Sequence, residues 1–195
     1  MKILSIYSSA KTHNSRSREL TKKISLKLQS LSKGEIIQRD LTQNLNYLSE
    51  AMIDRYYVDE DQLSDEDKKI LAPSDELVDE LLAADAIVVG APMYNFTITG
   101  MLKVYIDQIC RLGKTFSTTK DGFQGLLENK VAHVVITTGG TRVGGDDDFM
   151  TEYLKRFFNF IGITDIHFYV IDQLDQKQAE TQKQALLERI SAITL

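Results

Sequence analysis

Residues 85–100 read Asp85-Ala-Ile-Val-Val-Gly-Ala-Pro-Met-Tyr-Asn-Phe-Thr-Ile-Thr-Gly100, and two patterns follow one another in them. Ala86 to Val89 is an unbroken apolar run rich in β-branched residues. It is too short for a helix and lacks the alternation of a half-solvated strand, so 85–90 reads as a central parallel strand with helices on both faces. Ala91-Pro-Met-Tyr-Asn-Phe96 ends that pattern. Pro92 removes a ladder donor and bars Ala91 from the α region. Met93, Tyr94 and Phe96 then place apolar bulk in a loop, where it needs something flat to cover. Thr97 or Thr99 can cap a following helix. A strand end, an aromatic loop and a helix amino terminus thus converge on the carboxyl edge, where open α/β sheets bind ligands.

Working outward, the chain supplies the companions such a strand needs. Residues 2–7 read as a first strand, and the helix after Ser17 carries Leu20, Ile24, Leu28 and Leu31 at near-helical spacing, with Gly34 past its end. Residues 35–40 form a second strand. Residues 41–73 are irregular, with Ser49 and Ser64 as caps of short helices, and Ser74 is expected to cap a helix that turns Leu77, Leu81 and Leu82 inward. A helix over about 98–112 follows the central strand, then a second irregular stretch, 113–129. The remaining elements are a strand at about 131–137, an aromatic helix at about 147–161, a strand from Ile166 to Ile171 and a helix at about 176–192. This alternation predicts a flavodoxin-like, doubly wound five-stranded parallel sheet of order 2-1-3-4-5, in a single domain over 1–195. Right-handed crossovers then set strands 1, 3 and 4 side by side.

Composition narrows the function classes. The net charge of −5 is spread along the chain without a Lys/Arg stripe, which argues against a nucleic-acid partner and against an anionic membrane surface. A single cysteine, Cys110, allows no internal disulfide and no cysteine-based metal site. The opening residues lack a signal-peptide core, and no apolar run nears the ~20 residues a bilayer span needs. A cytoplasmic protein is expected.

The three chemically unusual loops follow strands 1, 3 and 4. Ser9, Thr12, Ser15 and Ser17, with Arg16 among them, cluster at a helix amino terminus, where hydroxyls, free N–H groups and the dipole suit a phosphate. Neither a Gly-x-Gly-x-x-Gly nor a Walker pattern is present, so a terminal monophosphate fits better than a dinucleotide or ATP. Met93, Tyr94, Asn95 and Phe96 offer a flat apolar surface with one amide for a ring edge. Thr137, Thr138, Gly139 and Gly140 let backbone approach closely. Each loop alone also has a plainer reading, as helix caps, a core plug or a flexible turn. Together they suggest a monophosphate at one end and a planar, edge-polar ring at the other, the shape of FMN.

On these residues the sequence resembles the FMN-dependent NADH:quinone oxidoreductases, also called FMN-dependent NADH-azoreductases. The likeness rests on Ser8-Ser9 with Ser15-Arg-Ser17, Arg39-Asp40-Leu41, Ser74-Asp-Glu-Leu77, Ala91-Pro-Met-Tyr-Asn-Phe96, Thr138-Gly-Gly140 and Phe160-Ile-Gly-Ile-Thr-Asp165. It implies that Ser9 and Ser15 to Ser17 hold the FMN phosphate. It also implies that Met93 to Phe96 lie along the ring system and that Thr137 to Gly140 close its other side. NADH and a quinone or azo compound would use one slot in turn, by a ping-pong cycle, in a homodimer with the flavin near the subunit boundary. Many relatives carry Ser-Arg-Gly-Gly where this chain has Thr137-Thr-Gly-Gly140. No acid–base residue stands out: His13 lies in the first loop, while His133 and His167 fall in strands. Asp146-Asp-Asp148 reads as the negative first turn of the aromatic helix rather than as a metal site. A flavodoxin-type electron carrier, or a non-redox binder of a nucleotide monophosphate, are the rival readings.

Overall fold

The computed structural model describes residues 1–172 and 176–194. Its elements are β1 (Lys2–Tyr7), α1 (Arg16–Ser32), β2 (Glu35–Asp40), α2 (Glu50–Arg55), α3 (Asp65–Ala83), β3 (Ala86–Pro92), α4 (Gly100–Ile109), β4 (Phe116–Thr119), β5 (Gly122–Gly125), β6 (Val131–Thr137), α5 (Thr151–Phe160), β7 (Asp165–Ile171) and α6 (Gln176–Ser191). The parallel sheet has the order β2-β1-β3-β6-β7. Counting only its own strands, that is 2-1-3-4-5, as expected.

The two-residue period of the strands splits the core into two layers. Ile87, Val89 and Ala91 of β3 join Leu4, Ile6, Val134 and Ile136 beneath α3, α4 and α5. Ala86 and Val88 join Ile3, Val135 and Tyr169 beneath α1 and α6. Every residue of β3 is buried, as a central strand covered on both faces must be. Gly90 continues the α1-facing series. A Cβ there would sit 2.6 Å from Thr21 Oγ1 and 3.3 Å from the Ser17 carbonyl oxygen, so glycine is what lets α1 lie this close to β3.

Several local expectations are corrected. Ser74 caps nothing: α3 begins nine residues earlier, behind Ser64, whose side chain and Asp67 form a reciprocal capping box. The helix runs on through Pro73, and Ser74 is buried, donating to the Gln108 carbonyl and accepting from Arg111. Leu82 faces solvent rather than the core, and so does Leu31 of α1. The stretch 113–129 is not irregular throughout, because β4 and β5 pair as an antiparallel hairpin. Its Phe116 and Phe123 pack on Phe160 of α5 with ring centroids 4.7 and 5.5 Å away. The aromatic surplus of that helix is thus partly covered by its own chain. α5 itself starts at Thr151, and Asp148 lies before it.

Candidate functional site

Because β1, β3 and β6 are neighbours, the loops leaving their carboxyl ends share one edge of the sheet. Direct bonds join them. The Ser8 hydroxyl donates to the Gly90 carbonyl at 2.7 Å, the Met93 N–H donates to the Thr137 carbonyl at 2.8 Å, and the Phe149 N–H donates to the Phe96 carbonyl at 3.0 Å.

In the first loop, Ser15 is the N-cap of α1, its hydroxyl accepting from the Arg18 N–H and lying 3.2 Å from Ser17 Oγ. Ser9 is buried and accepts from the Lys11 N–H, and Arg16 opens the helix half-buried. Arg18 holds this loop in place. Its guanidinium donates to both carboxylate oxygens of Asp40, at 2.6 and 2.8 Å, and to the Ser9 carbonyl at 2.8 Å. It also lies over the Tyr7 ring. Asp40 accepts further bonds from the N–H and hydroxyl of Thr42. The Arg18 bond above all holds its carboxyl down at about 2, against the cost of burial.

The second loop is a two-residue turn. Tyr94 and Thr97 exchange backbone bonds, and Asn95 and Phe96 between them have φ of 50° and 73°. Two positive values in succession make a type I′ geometry, which Asn accepts and Phe does not. Phe96 in this conformation costs about 1–2 kcal/mol. Met93 is buried in the core, while Tyr94 and Phe96 project, the latter half exposed. Thr99, rather than Thr97, caps α4.

The third loop is turned by Thr138, which is buried with its hydroxyl donating to the Thr141 carbonyl and its N–H to the Ile171 carbonyl. At Gly139 and Gly140 a Cβ would meet no atom within 4 Å, so the backbone borders open space there. A cleft of about 770 Å³ runs from the first two loops toward β2, bordered by Ala10, Leu41, Tyr47, Tyr94, Met101 and Val104.

A model of the flavodoxin-like fold family matches residues 1–193. The FMN-dependent NADH:quinone oxidoreductase 1 of Hahella chejuensis is 42% identical over 174 residues, spanning 89% of this chain and 85% of that protein. That of Jannaschia sp. is 43% identical over 190 residues, spanning 94% and 97%. This chain belongs to the FMN-dependent NADH:quinone oxidoreductase family. Among solved structures, an azoreductase from Bacillus anthracis str. Sterne superposes with a TM-score of 0.86 at 26% identity, covering 97% of this chain and 96% of that one.

The residues of this family member suit FMN at the positions the structure brings together. Three hydroxyls and the amino terminus of α1, with the positive end of its dipole, answer a phosphate. The exposed rings of Tyr94 and Phe96 and the open backbone at Gly139 and Gly140 answer a flat ring. The Thr138 side chain is turned into its own loop, so position 138 lends no cation to the edge. Arg142, exposed on the same loop, is the nearest arginine in sequence.

Sequence reasoning assigned no role to Arg18 or Asp40. The signal was available: Asp40 is the last residue of β2, in register with Tyr7 at the same edge. A charged residue there, beside an arginine in the first turn of the neighbouring helix, is a candidate pair. His133 is structural: it is buried, 3.0 Å from the Tyr169 hydroxyl and stacked on His167. Burial above all pushes its imidazole down to about 4.

Proposed function

We propose that this protein is an FMN-dependent oxidoreductase that passes two electrons from NADH to quinones and reductively cleaves aromatic azo compounds. The observation that carries the reading is the joining of the three loops at one edge, in a chain more than 40% identical to NADH:quinone oxidoreductases over most of its length. FMN, when bound, supplies a ring that takes a hydride from NADH and returns two electrons to an acceptor.

The residues have separable tasks. Ser9, Ser15, Arg16 and Ser17 would hold the phosphate against the α1 amino terminus. Tyr94, Asn95 and Phe96 would lie along the ring, with Met93 supporting the turn from the core. Thr137, Thr138, Gly139 and Gly140 would close the opposite side with backbone, Thr138 fixing the loop from within. The α4 amino terminus behind Thr99 and the amides at Gly139 and Gly140 would place partial positive charge where the ring gains electrons. With one face left open, NADH and acceptor would alternate in a ping-pong cycle.

The test is an absorbance spectrum of the purified protein before and after anaerobic NADH, followed by a quinone. A flavin band that NADH bleaches and quinone restores, with sustained turnover, is expected. A flavin that does not turn over NADH with small acceptors would favour an electron carrier. A colourless protein that takes up no added FMN would refute the reading.

We further place the protein in the cytoplasm, as one domain that pairs as a homodimer. No helix among the described residues is long and apolar enough to cross a membrane. Exposed Tyr47, Tyr57 and Phe123 on the two long connections support a partner contact, with Tyr47 alone of the three bordering the cleft. A monomeric mass by sedimentation at micromolar concentration would refute the dimer.

A further inference from the structure

Asp148 precedes α5 and makes more bonds than a helix cap requires. Its Oδ1 accepts from the N–H groups of Met150 and Thr151, both at 3.0 Å. Its Oδ2 accepts from the Thr151 hydroxyl at 2.6 Å and, across the turn, from the Gly144 N–H at 2.8 Å. One carboxylate therefore ties the start of the helix to the end of the glycine-rich loop. The next residue, Phe149, is bonded to the aromatic turn in both directions: its N–H donates to the Phe96 carbonyl, and its carbonyl accepts from Thr97 Oγ1. Phe96 sits at a φ that a phenylalanine holds only when its surroundings impose it. Those surroundings are the Tyr94–Thr97 pair and Phe149. The rings of Phe96 and Phe149 both project into solvent.

From this geometry we propose that Asp148 is a positioning residue for the site: it sets the Gly139–Gly145 loop and the Tyr94–Thr97 turn at a fixed separation, and so fixes the width of the slot for a planar ring, without touching cofactor or substrate. The inference rests on the flavin reading above.

Asp148→Asn separates this role from helix capping. The amide oxygen keeps the Met150 and Thr151 bonds, since asparagine is a good cap. The amide nitrogen then faces the Gly144 N–H, donor to donor. Asp148→Ala removes everything. Thr97→Val removes the side-chain half of the link from the far side, keeps the Phe149 N–H bond to the Phe96 carbonyl and leaves α5 intact. The readouts are amide hydrogen exchange in flavin-free protein, FMN affinity by fluorescence quenching, and steady-state kinetics.

In Asp148→Asn, the α5 amides should keep their protection while Gly144 exchanges on the order of tenfold faster, as losing a bond to a charged group implies, and Phe149, whose N–H keeps the Phe96 carbonyl as partner, exchanges faster by a smaller factor. The FMN dissociation constant and the quinone KM should rise several-fold, with kcat changed less, and Thr97→Val should move Phe149 exchange and KM in the same direction by less. Loss of α5 protection with Gly144 and Phe149 unmoved would make Asp148 a helix cap only and overturn the proposal. So would faster exchange with FMN affinity and KM unchanged. A wild-type protein that binds no FMN would sink the flavin reading instead, and the exchange data alone would then decide whether Asp148 couples the two loops.

Discussion

Replacing Asp40 with asparagine tests the clamp beneath the first loop. The Asp40 carboxyl falls from an ordinary 3.8 to about 2 in the folded chain, chiefly through its bond to Arg18. Fully realised, that drop corresponds to about 2.5 kcal/mol. Water reaches a quarter of the Asp40 side chain, so about 1–2 kcal/mol is the reasonable expectation. The sign is fixed by the direction of the shift. A depressed carboxyl stabilises the fold above its unfolded value, and that stability is lost as pH falls from near 4 through about 2. Urea unfolding of wild type and Asp40→Asn should therefore differ by about 1–2 kcal/mol at pH 7, with the gap shrinking to a few tenths of that by pH 2. Because Arg18 also donates to the Ser9 carbonyl, the variant should bind FMN more weakly at pH 7. A gap that stays constant from pH 7 to pH 2, or no gap at all, would show that the Arg18–Asp40 pair does not hold the loop.

Three further outcomes follow from particular contacts. Gly90→Ala forces α1 away from β3 and should cost about 1–3 kcal/mol in denaturant unfolding; adding Thr21→Ala should recover part of the loss, and no recovery would mean the clash is with the Ser17 backbone. At position 96 the usual order of the small residues should invert. Phe96→Gly should be about 1 kcal/mol more stable than Phe96→Ala, since only glycine is at ease at a φ of 73°, and equal melting temperatures would count against strain in the turn. Burial pushes the Cys110 thiol up to about 11, so iodoacetamide at pH 7 should label native protein far more slowly than urea-unfolded protein; equal rates would refute this.

The parts of the fold that sequence made legible are those where local pattern and tertiary demand agree. β3 is buried on both faces, so its side chains had to be apolar without alternation, and Thr99 caps α4 because a short hydroxyl is what the free amides there need. The reading failed where a distant partner decides. Ala72-Pro-Ser74 looks like a helix stop followed by a cap, yet Ser74 faces Gln108 and Arg111, more than thirty positions away, and α3 continues through Pro73. The β4–β5 hairpin is four residues a side with a glycine at each end of the second strand, too little alternation to register, and it is secured by packing on Phe160. The site loops were recognisable as unusual, but not their conformation. Asn-Phe is no ordinary type I′ pair, and only the bonds from Phe149 and between Tyr94 and Thr97 account for it.

That last failure bears on function. A turn built from good turn residues would hold its shape alone and owe nothing to the rest of the edge. Phe96 cannot, so its position depends on Phe149, which lies between Asp148 and the Met150 and Thr151 amides that the Asp148 carboxylate holds. The phosphate-type loop is coupled in the same way, through Ser8 to Gly90 and through Arg18 to Asp40. The first two loops are therefore held by bonds from neighbouring segments as well as by their own sequence. A site organised so should bind as a unit. Asp40→Asn and Asp148→Asn lie at opposite ends of this chain of contacts and share no partner. If the loops act independently, their effects on FMN affinity will add within about 0.5 kcal/mol. If the edge closes on the flavin cooperatively, the double variant will lose less than the sum, because the first loss already frees the loops that the second would release.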